Sequence, residues 1–227
     1  MNFRLPIALL ASASLAFGAA ACGGGDDEGT GAGAEQQQEQ QQQAEPVAQI
    51  DTVTGRNTEV TLDAGFVEAL TTLGVTPAPV GDGEITDQGV ARFPITGGNV
   101  TYYEPGTVSP FVQGRLDHDG SGLSLTAGDT EVELTDFVVD PGASVLTGNV
   151  SVNGEEAASG APLFFLDGRT LNPLEVNENQ GTAVLEGTTV KLKAEAAQLL
   201  NDTFGIQDLQ EGMEIGIAKI TLELPES

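Results

Sequence analysis

Residues 123–138 read LSLTAGDTEVELTDFV, and this stretch decides the fold class. Apolar and polar residues alternate at 123–126 and again from position 131, and the turn-forming residues Ala-Gly-Asp at 127–129 separate the two runs. Alternation with a period of two predicts strands that are buried on one face, as in a sandwich or an antiparallel sheet.

The same pattern continues on both sides of this stretch. Another alternating run lies at 150–152, and the last strand is predicted at 214–224. Its apolar positions change parity near Ala218 and Lys219, which predicts either a bulge or a strand that changes neighbours. Turn signals recur about every 8–12 residues, which is typical of an all-β meander, sandwich or barrel. They lie at 97–99, 119–120, 127–129, 140–142 and 153–154.

Two segments interrupt the strands with helical periodicity. Residues 63–73 and 194–204 each place apolar side chains on one helical face, and a glycine follows each segment as a C-terminal cap. The two strand–helix units are either chance similarities or pseudo-symmetric copies, in which each helix plugs an open end or edge of the β core. Neither helix is long enough to be stable alone, which predicts that Leu70 and Leu200 are buried in equivalent places. The predicted fold is therefore mainly β, an antiparallel β-sandwich or meander with two short amphipathic helices.

The composition excludes several classes of function. The 227 residues include 34 Asp and Glu but only 8 Lys and Arg, so the net charge is −26. Nucleic-acid binding and basic membrane-surface helices both need clustered basic residues and are excluded. One Cys and one His exclude an internal disulfide framework and Cys- or His-rich zinc sites. The chain has no Gly-x-Ser-x-Gly, P-loop or dinucleotide-binding motif, so it is not expected to be an enzyme.

The N-terminus carries the pattern of an exported protein. Arg4 precedes an apolar run at 5–17 and small residues at 19–21, which predicts a signal peptide over 1–21. Cys22 directly after the small residues resembles a bacterial lipobox, in which the thiol is diacylated and two acyl chains anchor the protein in the membrane. We expect a lipoprotein that is lipid-anchored at the outer, extracellular face of the cell membrane. The alternative is a secreted protein with an incidental cysteine.

Residues 22–46 are predicted to be a disordered tether. The segment is rich in Gly, Glu and Gln and contains no large apolar residue, so it cannot bury enough surface to fold. One folded domain is therefore expected over 47–227, and its acidic surface should keep it away from anionic lipid head groups.

Residues 117–122 read DHDGSG and resemble the first half of an EF-hand-type calcium loop. Asp117, Asp119 and Ser121 stand at the first, third and fifth positions of such a loop, and a glycine stands at the sixth. The twelfth position is Gly128 rather than Glu, and strands rather than helices flank the segment. Weak calcium binding by these three residues is one interpretation, and a hairpin turn rich in Asp and Gly is the other.

A longer pattern covers residues 60–206. The FPITGG motif at 93–98, the GRLDHDG motif at 114–120 and the PLFFL motif at 162–166, with the strand rhythm between them, resemble the HtaA-domain family. That family occurs on actinobacterial cell surfaces and takes part in haem capture. The resemblance implies a β-sandwich with a short helix, and haem that is bound through a tyrosine and supported by a histidine.

The resemblance also assigns residues to the haem site. It places His118 at the position of the supporting histidine, but the first helix at 63–73 lacks the family's tyrosine, and Tyr102 and Tyr103 are the only tyrosines of the chain. They are adjacent on a strand, so at most one faces a given pocket, and packing or edge hydrogen bonding is their alternative role. Arg115 is one of two basic residues near enough in sequence to pair with a haem propionate.

The surroundings of His118 predict its charge. It stands between two aspartates, which would raise the pKa of the ring and make it a hydrogen-bond donor to a tyrosinate. The alternative is an exposed turn residue.

The sequence as a whole leaves two function classes open. One is a non-catalytic cell-surface module that binds a small molecule, with haem as the leading candidate. The other is a structural or adhesion module of the cell envelope with weak calcium binding. The sequence identifies no protein partner.

Overall fold

The computed structural model describes residues 44–225, and strands dominate this part of the chain. Two α-helices and a short 3₁₀ turn complete it. The elements in chain order are β1 (Ala48–Ile50), β2 (Arg56–Leu62), α1 (Ala64–Thr72), β3 (Thr76–Gly81), β4 (Glu84–Ile85), β5 (Val90–Pro94), β6 (Gly97–Tyr102), β7 (Val112–Ala127), β8 (Thr130–Asp140), β9 (Val145–Val152), β10 (Glu155–Asp167), the 3₁₀ turn (Gly168–Thr170), β11 (Glu175–Asn177), β12 (Thr182–Leu192), α2 (Ala194–Phe204) and β13 (Glu214–Glu223).

The thirteen strands of residues 44–225 form one antiparallel sheet that curls into half a barrel. Strand β1 pairs with β6, the strands β6 to β10 pair in chain order as a meander, and β12, β13, β2, β5 and β4 continue the sheet. Strands β3 and β11 lie beside this path, against β7 and β12 respectively. The predicted mainly β antiparallel fold with two short helices is confirmed.

The stretch that decides the fold forms the hairpin of β7 and β8. Leu125 lies opposite Val132 and Leu123 lies opposite Leu134, so the alternating apolar positions of the two strands meet on one face. Val132 and Leu134 are 0% and 3% exposed and belong to the hydrophobic core. The period-two pattern thus reports which face of the sheet is buried.

Both predicted helices form, and their caps explain where they begin and end. The Asp63 carboxylate accepts hydrogen bonds from the backbone N–H groups of Gly65 and Phe66 and so starts α1. Helix α2 ends at Gly205, which adopts the left-handed conformation with φ of 67°. Leu70 and Leu200 are 3% and 5% exposed, so their predicted burial is confirmed.

The two helices leave the sheet at the same end. Strands β2 and β12 both pair antiparallel with β13, which lies between them, so they run in the same direction and deliver α1 and α2 to one end. Helix α1 packs on β3 and β13, whereas α2 packs on β8 and β10. The two units therefore cover different strands at one end of the half-barrel.

Two predicted turns are wrong. Residues 97–99 lie within β6, and 119–120 lie within β7. His118 pairs with Phe137 and the next paired residue, Gly122, faces Thr135, so three residues of β7 bulge opposite one residue of β8. Gly120 has φ of 74°. Glycine adopts this conformation in bulges as well as in turns, so the Asp-Gly pair alone could not distinguish a bulge from a turn.

The last strand forms as β13, but its predicted bulge lies on the neighbouring strand. Opposite Ala218 and Lys219 the extra residue is Gly187 of β12, and a second irregularity places an extra residue, Ile215, in β13 itself.

Neither helix of residues 44–225 has the length and apolar character that crossing a membrane requires. The predicted signal peptide, Cys22 and the tether up to residue 43 lie outside the described residues and stay predictions.

Candidate binding site

The concave side of the sheet forms a half-open cavity of about 290 Å³, here called the interior cavity. Its walls come from β2, β6–β10, β12 and β13, from the loops that follow β6 and β8, and from the 3₁₀ turn, and neither α-helix contributes to them. Most of the lining is apolar and includes Val60, Leu116, Val139, Leu146, Leu185 and Ala218. A largely apolar concavity of this kind favours an apolar ligand over water, because an ordered water needs several polar partners.

A charged cluster of Asp167, Arg169 and Lys191 lies beside the interior cavity. Asp167 and Arg169 line the cavity, and Lys191 is bonded to Asp167. The Asp167 side chain is 4% exposed, and it accepts hydrogen bonds from Arg169 Nε at 2.8 Å, Arg169 Nη2 at 2.6 Å and Lys191 Nζ at 2.9 Å. Hydrogen bonds from Arg169 and then Lys191 hold the pKa of Asp167 well below its ordinary value. Hydrogen bonding to Asp167 likewise raises the pKa of Arg169.

The 3₁₀ turn holds this cluster in place. The Thr170 hydroxyl donates a hydrogen bond of 2.6 Å to the carbonyl oxygen of Gly187, on the neighbouring strand β12. Gly187 has φ of 111°, and a Cβ at that position would lie 2.5 Å from the carbonyl oxygen of Thr170. Only glycine therefore allows the turn and β12 to approach this closely.

Sequence reasoning missed the charged cluster. Lys191 meets Asp167 only because β10 pairs with β12, where Phe165 lies opposite Lys191. The one local signal is an acid that caps a turn and has a base two residues later, as in the Asp167–Arg169 pair.

The burial of His118 contradicts its predicted exposure in a turn, and the lowered pKa of its ring contradicts the predicted rise. The residue is 1% exposed; its Nδ1 lies 3.0 Å from the carbonyl oxygen of Phe137 and its Nε2 lies 2.8 Å from the Thr58 hydroxyl. A carbonyl only accepts, so Nδ1–H donates to Phe137, and in the neutral ring Nε2 accepts from Thr58. Burial lowers the pKa of His118 and outweighs the opposing effects of Phe137, Asp117 and Asp119.

The other residues predicted for haem lie elsewhere. Tyr102 is 6% exposed, with its ring edge-to-face with Phe111 at 5.8 Å, and Tyr103 is half-buried just after β6. Arg115 Nε lies 2.7 Å from Asp117 Oδ1, and its side chain is 59% exposed. Within residues 44–225 no hydrogen bond joins His118 to either tyrosine, so the predicted support of a tyrosine by His118 is not formed.

A second concavity, the Tyr102 groove, has a volume of about 740 Å³. It lies between β1 and β6 on one side and β11, β12 and β13 on the other. Among the residues that the structure describes, none forms a hydrogen bond with the Tyr102 hydroxyl. The hydroxyl oxygen is accessible to solvent, since no fully buried side-chain oxygen or nitrogen of this part lacks a partner. Val176 lines the same groove and is 53% exposed.

The predicted calcium loop is not present. Asp117, Asp119 and Ser121 belong to the bulged strand β7. Their side chains each bind a different partner and do not converge on one point. Asp117 pairs with Arg115, Asp119 accepts a hydrogen bond from the Thr96 hydroxyl, and Ser121 donates to the carbonyl oxygen of His118. Across residues 44–225 no three His, Cys, Asp or Glu side chains are grouped to hold a metal ion.

The side chains of the Tyr102 groove fit haem, whereas those of the interior cavity do not. His, Cys, Met and Tyr are the side chains that ligate haem iron, and none of them lines the interior cavity. Both ring nitrogens of His118 are already hydrogen-bonded. The Tyr102 groove, by contrast, offers a phenol with no protein partner among residues 44–225.

Comparison with known proteins supports the fold. No family model and no curated protein sequence matches the chain. The structure is similar to that of the C-terminal domain of HtaA from Corynebacterium glutamicum, with a TM-score of 0.53 and 14% sequence identity over 77% of this chain and 99% of that one. The heme binding protein HtaB from the same organism also matches, with a TM-score of 0.46 and 11% identity over 78% of this chain and 96% of HtaB. The domain is therefore HtaA-like in fold, as the sequence motifs predict.

Proposed function

We propose that the chain is a non-catalytic binding module that takes a small, largely apolar ligand into the interior cavity. The observation that carries this proposal is the half-open, largely apolar space of about 290 Å³ within the curled sheet. This volume is near the lower end of the roughly 300–1,000 Å³ that is typical of small-molecule sites. In this proposal the predicted lipid on Cys22 displays the module at the outer face of the cell membrane.

We expect Ala218→Leu to weaken the binding of decanol, used as a neutral apolar probe and measured by calorimetry. Ala218 is 5% exposed and lines the cavity, so a larger side chain occupies space that the probe needs. Exclusion of about two methylene groups, at about 0.8 kcal/mol each, weakens binding roughly tenfold.

Ala197→Leu is the matched control for this test. Ala197 is 4% exposed, but it lies in α2 and does not line the interior cavity, so decanol binding should be unchanged. Thermal unfolding of both variants shows whether overpacking has affected the fold. If the parent chain binds no decanol, the cavity is not a site for such ligands, and a structural or adhesion module becomes the better interpretation.

Haem in the Tyr102 groove is a second candidate function. It is favoured by the unpartnered Tyr102 hydroxyl in a groove of about 740 Å³, together with an HtaA-like fold. A tyrosinate is an established axial ligand of haem iron, and the apolar side chains of the groove suit a flat macrocycle.

A haemin titration with absorbance detection tests this second candidate. We expect the parent to shift the Soret band and Tyr102→Phe to lose the tyrosinate spectrum, because the substitution removes the oxygen and retains the ring. Tyr103→Phe should retain the parent spectrum. Identical spectra for the parent and both variants would show that neither tyrosine ligates the iron.

A further inference from the structure

We infer that the ligand of the interior cavity carries a carboxylate head, which Arg169 binds at the cavity mouth. The inference rests on the binding function proposed above and adds the chemical class of the ligand. The occupant is accordingly an amphiphile, with an apolar tail inside the sheet and an anionic group at its opening.

The position of Arg169 supports this orientation. Arg169 and Asp167 both line the interior cavity, and the Arg169 side chain is 84% exposed. The guanidinium therefore lies where the apolar space meets water. A ligand that buries its tail among Leu116, Val139 and Leu185 brings its head to this boundary.

Hydrogen-bond donors remain free at this boundary. Arg169 uses Nε–H and one Nη2–H on Asp167, which leaves three of the five guanidinium N–H groups. Lys191 does not line the cavity, but it binds the same carboxylate and so adds positive charge to the cluster. A carboxylate is an acceptor that such donors bind with charge-assisted hydrogen bonds.

The charge of the cluster also favours an anion. Two cations, Arg169 and Lys191, share one carboxylate, so the cluster carries a net charge of +1 within a chain whose formal charge is −26. The bidentate contact with Asp167 holds the guanidinium plane in one orientation before a ligand arrives. Less side-chain freedom is then lost on binding, which favours affinity.

Paired titrations with decanoate and decanol, below the concentrations at which they form micelles, test the inference. The two probes share a tail and differ in the head, so their affinity ratio isolates the contribution of the carboxylate. We expect the parent to prefer decanoate, and Arg169→Gln to weaken decanoate binding roughly tenfold or more and decanol binding much less, as for the loss of a charge-assisted hydrogen bond. Added salt should weaken the binding of decanoate only.

Arg115→Gln is the matched control. Arg115 also pairs with an aspartate two residues away, at 2.7 Å, but it does not line the interior cavity, so its loss removes the same charge without touching the mouth. An unchanged decanoate-to-decanol ratio in Arg169→Gln, or an equal loss in Arg115→Gln, overturns the inference and leaves the proposed function intact. Absence of binding by both probes overturns the proposed function and the inference with it.

Discussion

We expect Leu70→Ala and Leu200→Ala each to lower the free energy of unfolding by about 2–5 kcal/mol, measured by denaturant titration. Both side chains are almost fully buried, at 3% and 5% exposure, and each attaches a short helix to the sheet. Truncation removes apolar contacts and leaves a cavity that the surrounding strands fill only in part. A helix of this length has little stability of its own, so its packing on the sheet decides whether it forms.

Two exposed positions on the same helices serve as controls. Val67 in α1 is 41% exposed, and Gln198 in α2 is exposed as well. Val67→Ala and Gln198→Ala should change the free energy of unfolding by no more than about 0.5 kcal/mol. A loss of comparable size at the buried and exposed positions would show that helix propensity, rather than packing on the sheet, holds α1 and α2.

Elements with a strong local pattern were predictable from the sequence. Helix α2 has the predicted bounds because its apolar face and the glycine at 205 both act within the segment itself. The β7–β8 hairpin follows from alternation on both sides of a Gly-Asp turn. In these cases the side chains that determine an element are close together in sequence.

The candidate site was much less predictable because its contacts join distant strands. His118 meets Thr58 across 60 positions of the chain, and Lys191 meets Asp167 across 24. No local pattern encodes either pairing. The aspartates beside His118 predicted a raised pKa of its ring, and the alternative was an exposed turn residue. Instead β7 continues through this point and turns the ring into the core.

The burial of His118 leads to a second large effect, which His118→Ala should reveal. We expect the substitution to lower the free energy of unfolding by about 3–5 kcal/mol, because it leaves a cavity and removes the partners of the Thr58 hydroxyl and the Phe137 carbonyl. Thr58→Val alone should cost about 1–3 kcal/mol. The double variant should cost less than the sum of the two, since the two residues share one hydrogen bond.

The same burial makes the stability of the folded chain depend on pH in a defined direction. The pKa of His118 is lowered in the folded state from its ordinary value of 6.5, so on acidification the unfolded chain takes up a proton first. The free energy of unfolding should therefore hold its full value above about pH 6.5 and decrease as the pH falls toward the lowered pKa. His118→Ala should lack this decrease.

The chain has one histidine, so its ring resonances in a proton NMR titration report His118 without assignment. We expect a midpoint below 6.5 or no titration before the carboxylates protonate and the fold is lost. A midpoint above 6.5 would mean that Phe137, Asp117 and Asp119 together outweigh desolvation, and a midpoint above about 7 would make the ring mostly an imidazolium in neutral solution. In that case Nε2 would carry a proton and donate to the Thr58 hydroxyl. His118 would then be a buried charged donor rather than a neutral ring that accepts from Thr58.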